Sequence, residues 1–160
     1  MKLHLAIEEL HRSENHLAGA LLAMSDRHKA DHEVFHVARD IARWSQDHVR
    51  ALAQAGREFG LDLDPEPKGD PTLLEKARQG ASDLLGRSSV PGLLLLANLR
   101  HVYREACGTS LDWELLAQGA QGARRKELLQ LAERCHPDTL RQVRWANGKL
   151  KESATQVLVS

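Results

Sequence analysis

The stretch LHLAIEELHRSENHLAGALLAMSDRH, residues 3–28, decides the fold. Its apolar residues fall at Leu3, Ile7, Leu10, Leu17, Leu21 and Met24, in steps that alternate four and three. That spacing keeps one side of an α-helix facing a partner, as in the seam of a packed helical bundle. One position breaks the stripe. Between Leu10 and Leu17 the pattern asks for a leucine and finds Glu14. An ionised carboxylate buried without compensation is costly, so Glu14 needs a partner, a proton or a metal ion.

Working outward, the next segment runs from about His32 to Phe59, with Val34, Ala38, Ile41, Leu52, Ala55 and Phe59 on its stripe. It too is interrupted midway, by Ser45 and His48. A third segment, residues 92–122, begins after Pro91, a residue suited to a helix start. It carries Leu95, Leu99, Val102, Ala106, Thr109, Trp113, Leu116 and Ala120. A fourth, about 126–155, runs through Leu128, Ala132, Cys135, Leu140, Val143 and Leu150, with a bend expected at Pro137. Strand formers are sparse throughout, whereas Ala, Leu, Glu, Arg and Gln are abundant helix formers.

Between the second and third segments, residues 60–91 begin with the turn-rich run LDLDPEPKGDP and contain a short helical pattern from Thr72 to Leu85. A helix of about 25 residues is roughly 38 Å long, and this connection can run back along it. Short turn, long crossover, short turn predicts an all-α, single-domain, four-helix bundle of ferritin-like connectivity over residues 1–160.

The chain has 22 Lys and Arg against 22 Asp and Glu, and aromatic residues make up only 4%. This argues against nucleic-acid and anionic-membrane binding, which need a basic surplus or a stacking platform. The longest apolar run, Leu93 to Ala97, is too short to span a bilayer. The N-terminus does not read as a signal peptide, and Cys107 and Cys135 make no disulfide framework. The expected location is the cytoplasm. No phosphate loop, nucleophile elbow or Cys-x-x-Cys motif is present, and no organic cofactor is indicated.

The nine histidines are the unusual feature. With the first turn near Ala30, Glu14 lies opposite about residue 46, within one turn of His48. At a similar depth the fourth segment offers Glu133 and His136, spaced i, i+3 on one helix face. The third segment offers Asp112 if its turn lies near Arg124, or Glu105 if the turn lies near Gly119; Asp112 fits the polar Arg124-Arg-Lys turn better. The candidate metal ligands are therefore Glu14, His48, Asp112, Glu133 and His136, a donor set suited to iron, manganese or zinc. The second segment supplies a histidine without the bridging carboxylate of a di-iron motif. The alternative is a polar Glu–His core without metal, in a non-enzymatic interaction module. There Trp44 or Trp145 would serve a dimer face, and the partner would be a second copy or another protein. His28, His32, His36 and Asp40, with the match Glu33-Val-Phe-His36, form a second histidine-rich stretch at the first turn. It is read as a solvated helix end in preference to a site.

Four stretches carry a resemblance: Ser13-Glu-Asn-His-Leu-Ala, Ala38-Arg-Asp-Ile-Ala-Arg-Trp-Ser, Ser110-Leu-Asp-Trp-Glu-Leu-Leu, and Cys135-His-Pro-Asp-Thr-Leu-Arg-Gln through Leu150-Lys-Glu-Ser. Over nearly its whole length the chain resembles uncharacterised bacterial ferritin-like proteins. For the wider superfamily that resemblance implies a four-helix bundle, frequent di-metal carboxylate sites, and oxygen or peroxide chemistry. Glu14 and Glu133-x-x-His136 match its metal pattern residue by residue, and His48 matches the histidine alone.

Overall fold

A computed structural model describes residues 1–68 and 90–160. The four expected helices are α1 (Leu3–Arg27), α2 (His32–Gly56), α3 (Pro91–Gly122) and α4 (Lys126–Val159), with a 3-10 turn at Arg57–Phe59 after α2. No strand occurs among the described residues. No described helix is long and apolar enough to cross a membrane. The short helix expected at 72–85 lies outside the described residues.

Local chemistry sets the helix ends. Asp31 caps α2, its carboxylate accepting from the Val34 amide at 3.0 Å. Pro91 sits in the first turn of α3, where a missing N–H costs nothing. Both α2 and α3 end in the same paired motif. After α2, Leu61 N–H donates to Gly56 C=O and Gly60 N–H to Arg57 C=O, with Gly60 left-handed at φ 75°. After α3, Arg125 N–H donates to Ala120 C=O and Arg124 N–H to Gln121 C=O. There the left-handed residue, at φ 55°, is Arg124. α4 continues as one helix through Pro137.

Pairwise contacts fix the directions. Ser13 meets Asp112, and His28 meets Asn98, so α1 and α3 are antiparallel. His48 meets Asp138, and Glu33 meets Lys149, so α2 and α4 are antiparallel as well. Hence α3 runs in the direction of α2, and α3 starts at the end of the bundle opposite the one where α2 finishes. The described beginning of the connection runs beside α1. The His11 ring donates to Asp64 C=O at 2.8 Å, and the Asn15 side-chain oxygen accepts from Lys68 N–H at 3.0 Å. The α1–α2 and α3–α4 hairpins pack most extensively, α1–α3 next, and α2–α4 least.

The apolar core is divided in two. One cluster holds Leu3, Ile7, Leu10, Leu52, Trp113 and Leu116, with Leu128 to Cys135 of α4. The other holds Leu17, Leu21, Met24, Val34, Ala38, Ile41, Leu99 and Val102. Between them every helix contributes buried polar side chains: Glu14, Ser45 and His48, Thr109 and Ser110, Thr139 and Gln142.

The buried face of α4 differs from the expected stripe. Leu140, Val143 and Leu150 are only half-buried, while Thr139, Gln142, Ala146, Lys149 and Ser153 are buried. The alternation of four and three continues from Cys135 through these residues, so helix geometry outweighed side-chain polarity.

The two left-handed positions predict stability changes of opposite sign. Arg124→Gly relieves a conformation that disfavours L side chains, and denaturant melts should show a gain of up to about 1 kcal/mol. Gly60→Ala forces a Cβ into the same conformation and should cost about 1 kcal/mol.

Candidate functional site

The centre of the polar layer is Glu14, which is fully buried. The seam of α1 carries it inward between Leu10 and Leu17, so its carboxylate can be matched only by groups on the other helices. Three donors meet one oxygen. Glu14 Oε1 accepts from His48 Nδ1 at 2.8 Å, from Trp113 Nε1 at 2.7 Å and, at 3.4 Å, from the Thr139 hydroxyl. These donors come from α2, α3 and α4, so one carboxylate oxygen ties α1 to all three.

His48 extends the chain of contacts. Its second nitrogen, Nε2, lies 3.2 Å from Asp138 Oδ2. Asp138 is half-buried and also accepts from Arg141 at 3.2 Å. The His48 ring meets Trp113 edge-on, with centroids 5.6 Å apart. Burial alone would push the His48 pKa down. The neighbouring Cys135 of α4, and the hydrogen bond and charge of Glu14, outweigh burial and raise the pKa to about 10. The imidazole is therefore cationic at neutral pH, with an N–H directed at a carboxylate on each side. Beside it, Gln142 donates from its amide nitrogen to the Ile41 carbonyl and to the Ser45 hydroxyl, both at 2.9 Å.

The structure brings together two of the five sequence-derived ligands, Glu14 and His48. Asp112 is half-buried near Glu14, where its Oδ2 accepts from the Ser13 hydroxyl at 2.6 Å. Burial, chiefly, and the charges of Glu9 and Glu14 raise its pKa, while the Ser13 bond opposes the rise. His136 pairs with the Ser110 hydroxyl at 2.8 Å. Glu133 is exposed on the outer side of α4. At the depth of Glu14, α4 presents Cys135, Asp138 and Thr139 in place of Glu133 and His136. Glu105 is half-buried. Among the described residues, no three His, Cys, Asp or Glu side chains converge to hold a metal ion.

The histidine-rich first turn is divided. His32, His36 and Asp40 are exposed, and Glu33 accepts from Lys149 Nζ at 2.9 Å. His28 is buried instead, bonded through Nε2 to the Asn98 amide at 2.9 Å. Burial and the Arg27 charge lower its pKa. His28 is the next step of four beyond Met24 on the α1 seam, a signal present in the sequence. Asp138 carried no such signal, because it lies beside the seam and contacts only the outer edge of His48.

Comparison with protein-family models, with curated proteins and with solved structures returns no match in any of the three.

Two outcomes follow from the pair. His48→Leu strands the Glu14 carboxylate and should cost about 3–5 kcal/mol in denaturant unfolding, the loss typical of breaking a buried ion pair. Because the folded-state pKa of His48 is raised, its stabilisation is complete below the unfolded value near 6.5 and declines as pH rises toward about 10. Unfolding free energies measured at pH 6.5, 8 and 9.5 should fall by up to about 1.4 kcal/mol per unit from this group. His48→Gln should flatten that slope.

Proposed function

We propose that the chain is a non-enzymatic helical module of ferritin-like connectivity, with a core closed by a carboxylate–imidazolium–carboxylate bridge. One observation carries this reading: each ring nitrogen of His48 faces a carboxylate oxygen, Nδ1 toward Glu14 and Nε2 toward Asp138. A metal-binding imidazole must offer a lone pair from the neutral ring, and an imidazolium has none. The positive charge that a metal ion supplies in carboxylate bundles is here supplied by His48. The connectivity rests on the antiparallel α1–α3 and α2–α4 pairs and on the opposite ends of the bundle at which α2 finishes and α3 starts.

On this reading the protein works by binding through its outer helical surface, with a second copy or another protein as partner. Tryptophan-led docking, the form expected from sequence, has less support. Trp44 is half-buried with the Arg141 guanidinium 5.6 Å from its ring centre, and Trp145 is half-buried with its indole nitrogen turned inside.

A second reading keeps iron, manganese or zinc at Glu14, His48, Asp112, Glu133 and His136, with oxygen or peroxide chemistry if the centre turns over. The observation in its favour is Glu14 Oε2, a buried carboxylate oxygen with no hydrogen-bond partner among the described residues. It requires His48 to lose a proton, and Glu133 and His136 to turn inward from the exposed and serine-bonded positions they hold.

Metal analysis separates the two. Protein purified without a histidine tag, loaded with Fe(II), Mn(II) or Zn(II) and desalted, should retain far less than one ion per chain. Stoichiometric retention that Glu14→Gln abolishes would establish the metal centre and overturn the module reading.

A further inference from the structure

Two opposite faces of the bundle carry complementary features at the same height. Helix α1 packs beside α2 and α3, and α4 packs beside the same two, so the α1–α3 face lies opposite the α2–α4 face. Ser110 meets His136 and Gly92 meets Val157, so α4 is antiparallel to α3, as α1 is, and α1 and α4 are parallel. The Glu14–Thr139 contact sets their register. By that register Lys2 of α1 stands level with Glu127 of α4, Leu5 with the stretch between Leu128 and Leu131, and Glu9 with Arg134.

The α2–α4 face carries a hole at that height. A pocket of about 210 Å³ opens between the last turns of α2 and the first turns of α4. Ala51, Ala55, Phe59, Leu128 and Leu131 line its inside, and the exposed Glu127 and Arg134 stand at its rim. Small-molecule sites are typically larger, about 300–1,000 Å³. An apolar cavity of about 150 Å³ already holds benzene, so this pocket suits one apolar side chain.

The α1–α3 face carries the matching knob. Leu5 is 52% exposed, with the exposed Lys2 three residues before it and the exposed Glu9 four residues after. The next step of four beyond Glu9 is Ser13, which bonds to Asp112, so this row lies on the α3 flank of α1. On α3, Leu111 and Leu115 are exposed in the row that leads to Gly119, over which Leu3 of α1 packs.

We infer that a second copy of the chain docks side by side on the first, with its Leu5 in the α2–α4 pocket, its Lys2 against Glu127 and its Glu9 against Arg134. The knob reads cation, apolar, anion along the bundle, and the hole reads anion, pocket, cation at the same heights. The match holds when the two bundles point the same way; reversal would set Lys2 against Arg134 and Glu9 against Glu127. Lys2, Glu127 and Arg134 have no ion-pair partner among the described residues. Glu9 holds Arg12 of its own helix in an exposed pair, which contributes little and can be shared. The inference rests on the module reading and names its partner as a second copy. Because knob and hole lie on opposite faces, each docked copy offers another of both, and assembly does not stop at two chains.

The test is sedimentation velocity of the full chain, purified without a tag, from about 10 μM to about 1 mM. The weight-average mass should start near 17.8 kDa and rise past two chains with concentration. Leu5→Asp removes the knob and Ala55→Phe fills the hole, and either variant alone should stay monomeric while keeping its helical circular dichroism. Arg134→Glu, at an exposed position, replaces Ala55→Phe if the latter fails to fold. An equimolar mixture of the knob and hole variants should give a two-chain species and nothing larger. A wild-type chain that stays monomeric, or stops at a dimer, overturns the inference. So does assembly that survives either substitution, or a mixture that stays monomeric. Those results would leave the module reading standing with another protein as partner, since metal retention tests that reading separately.

Discussion

The structure turns on a carboxylate held away from water. Once the seam of α1 carries Glu14 inward, the remaining helices have to deliver donors to a point they would otherwise fill with leucine. They deliver His48 from α2, Trp113 from α3 and Thr139 from α4 to a single oxygen. The requirement is geometric as well as electrostatic. Sliding any helix by one turn, about 5.4 Å, would set Glu14 against an apolar layer and leave its donors unmatched. Leucine at the same place would tolerate such slips. A polar layer of this kind adds little net stability relative to good apolar packing, but it penalises wrong registers strongly. Here it separates two apolar half-cores.

The connectivity makes that layer a late and collective product. α1 and α2 form a hairpin through a local turn and can bring Glu14 to His48 without help from the rest of the chain. Trp113 and Thr139 belong to the other hairpin, which is far from α1 and α2 along the chain. The inner oxygen of Glu14 is therefore fully bonded only when both hairpins dock. A half-assembled bundle leaves the carboxylate short of donors, which favours all-or-none assembly.

Much of this was legible in the sequence. The helix limits followed from the apolar spacing, Pro91 and the polar turns, and the Glu14–His48 contact followed from equal distances on either side of Ala30. What was missed has a common cause. On α4 beyond Cys135, hydrophobicity favours Leu140 and Val143, whereas the buried stripe takes Thr139 and Gln142. The alternation of four and three continues from Cys135 to Thr139, Gln142, Ala146, Lys149 and Ser153, and these are the residues that are buried. The same alternation carries α1 past Met24 to His28. Equal distances from the helix starts put Glu133 and His136 level with Glu14, about one turn from Thr139, where α4 meets it. The role of Trp113 as a donor was also hidden, because its ring fits the seam as a large apolar group and only its indole N–H reveals the polar neighbour.

The polar face of α4 also explains how its contact with α2 is held. This is the least extensive of the four helix pairs, and beyond Cys135 α4 buries Ala146 in an apolar cluster with Val143, Trp145 and Leu150 packed against it. Hydrogen bonds and ion pairs add to that packing. His48 meets Asp138, Gln142 meets Ser45 and the Ile41 carbonyl, and near the first turn Lys149 meets Glu33 at 2.9 Å and Asp31 at 3.8 Å. Lys149 repeats the logic of His48, a cation on the inner side of a helix held by carboxylates of the opposite one. Its bond to Glu33 and the charges of Asp31 and Glu33 outweigh burial and raise its pKa. Each such bond contributes little by itself, about 1 kcal/mol net, but each is directional where an apolar contact is not. The helix pair is thereby fixed in register at two levels, one at Lys149 and one built on Glu14.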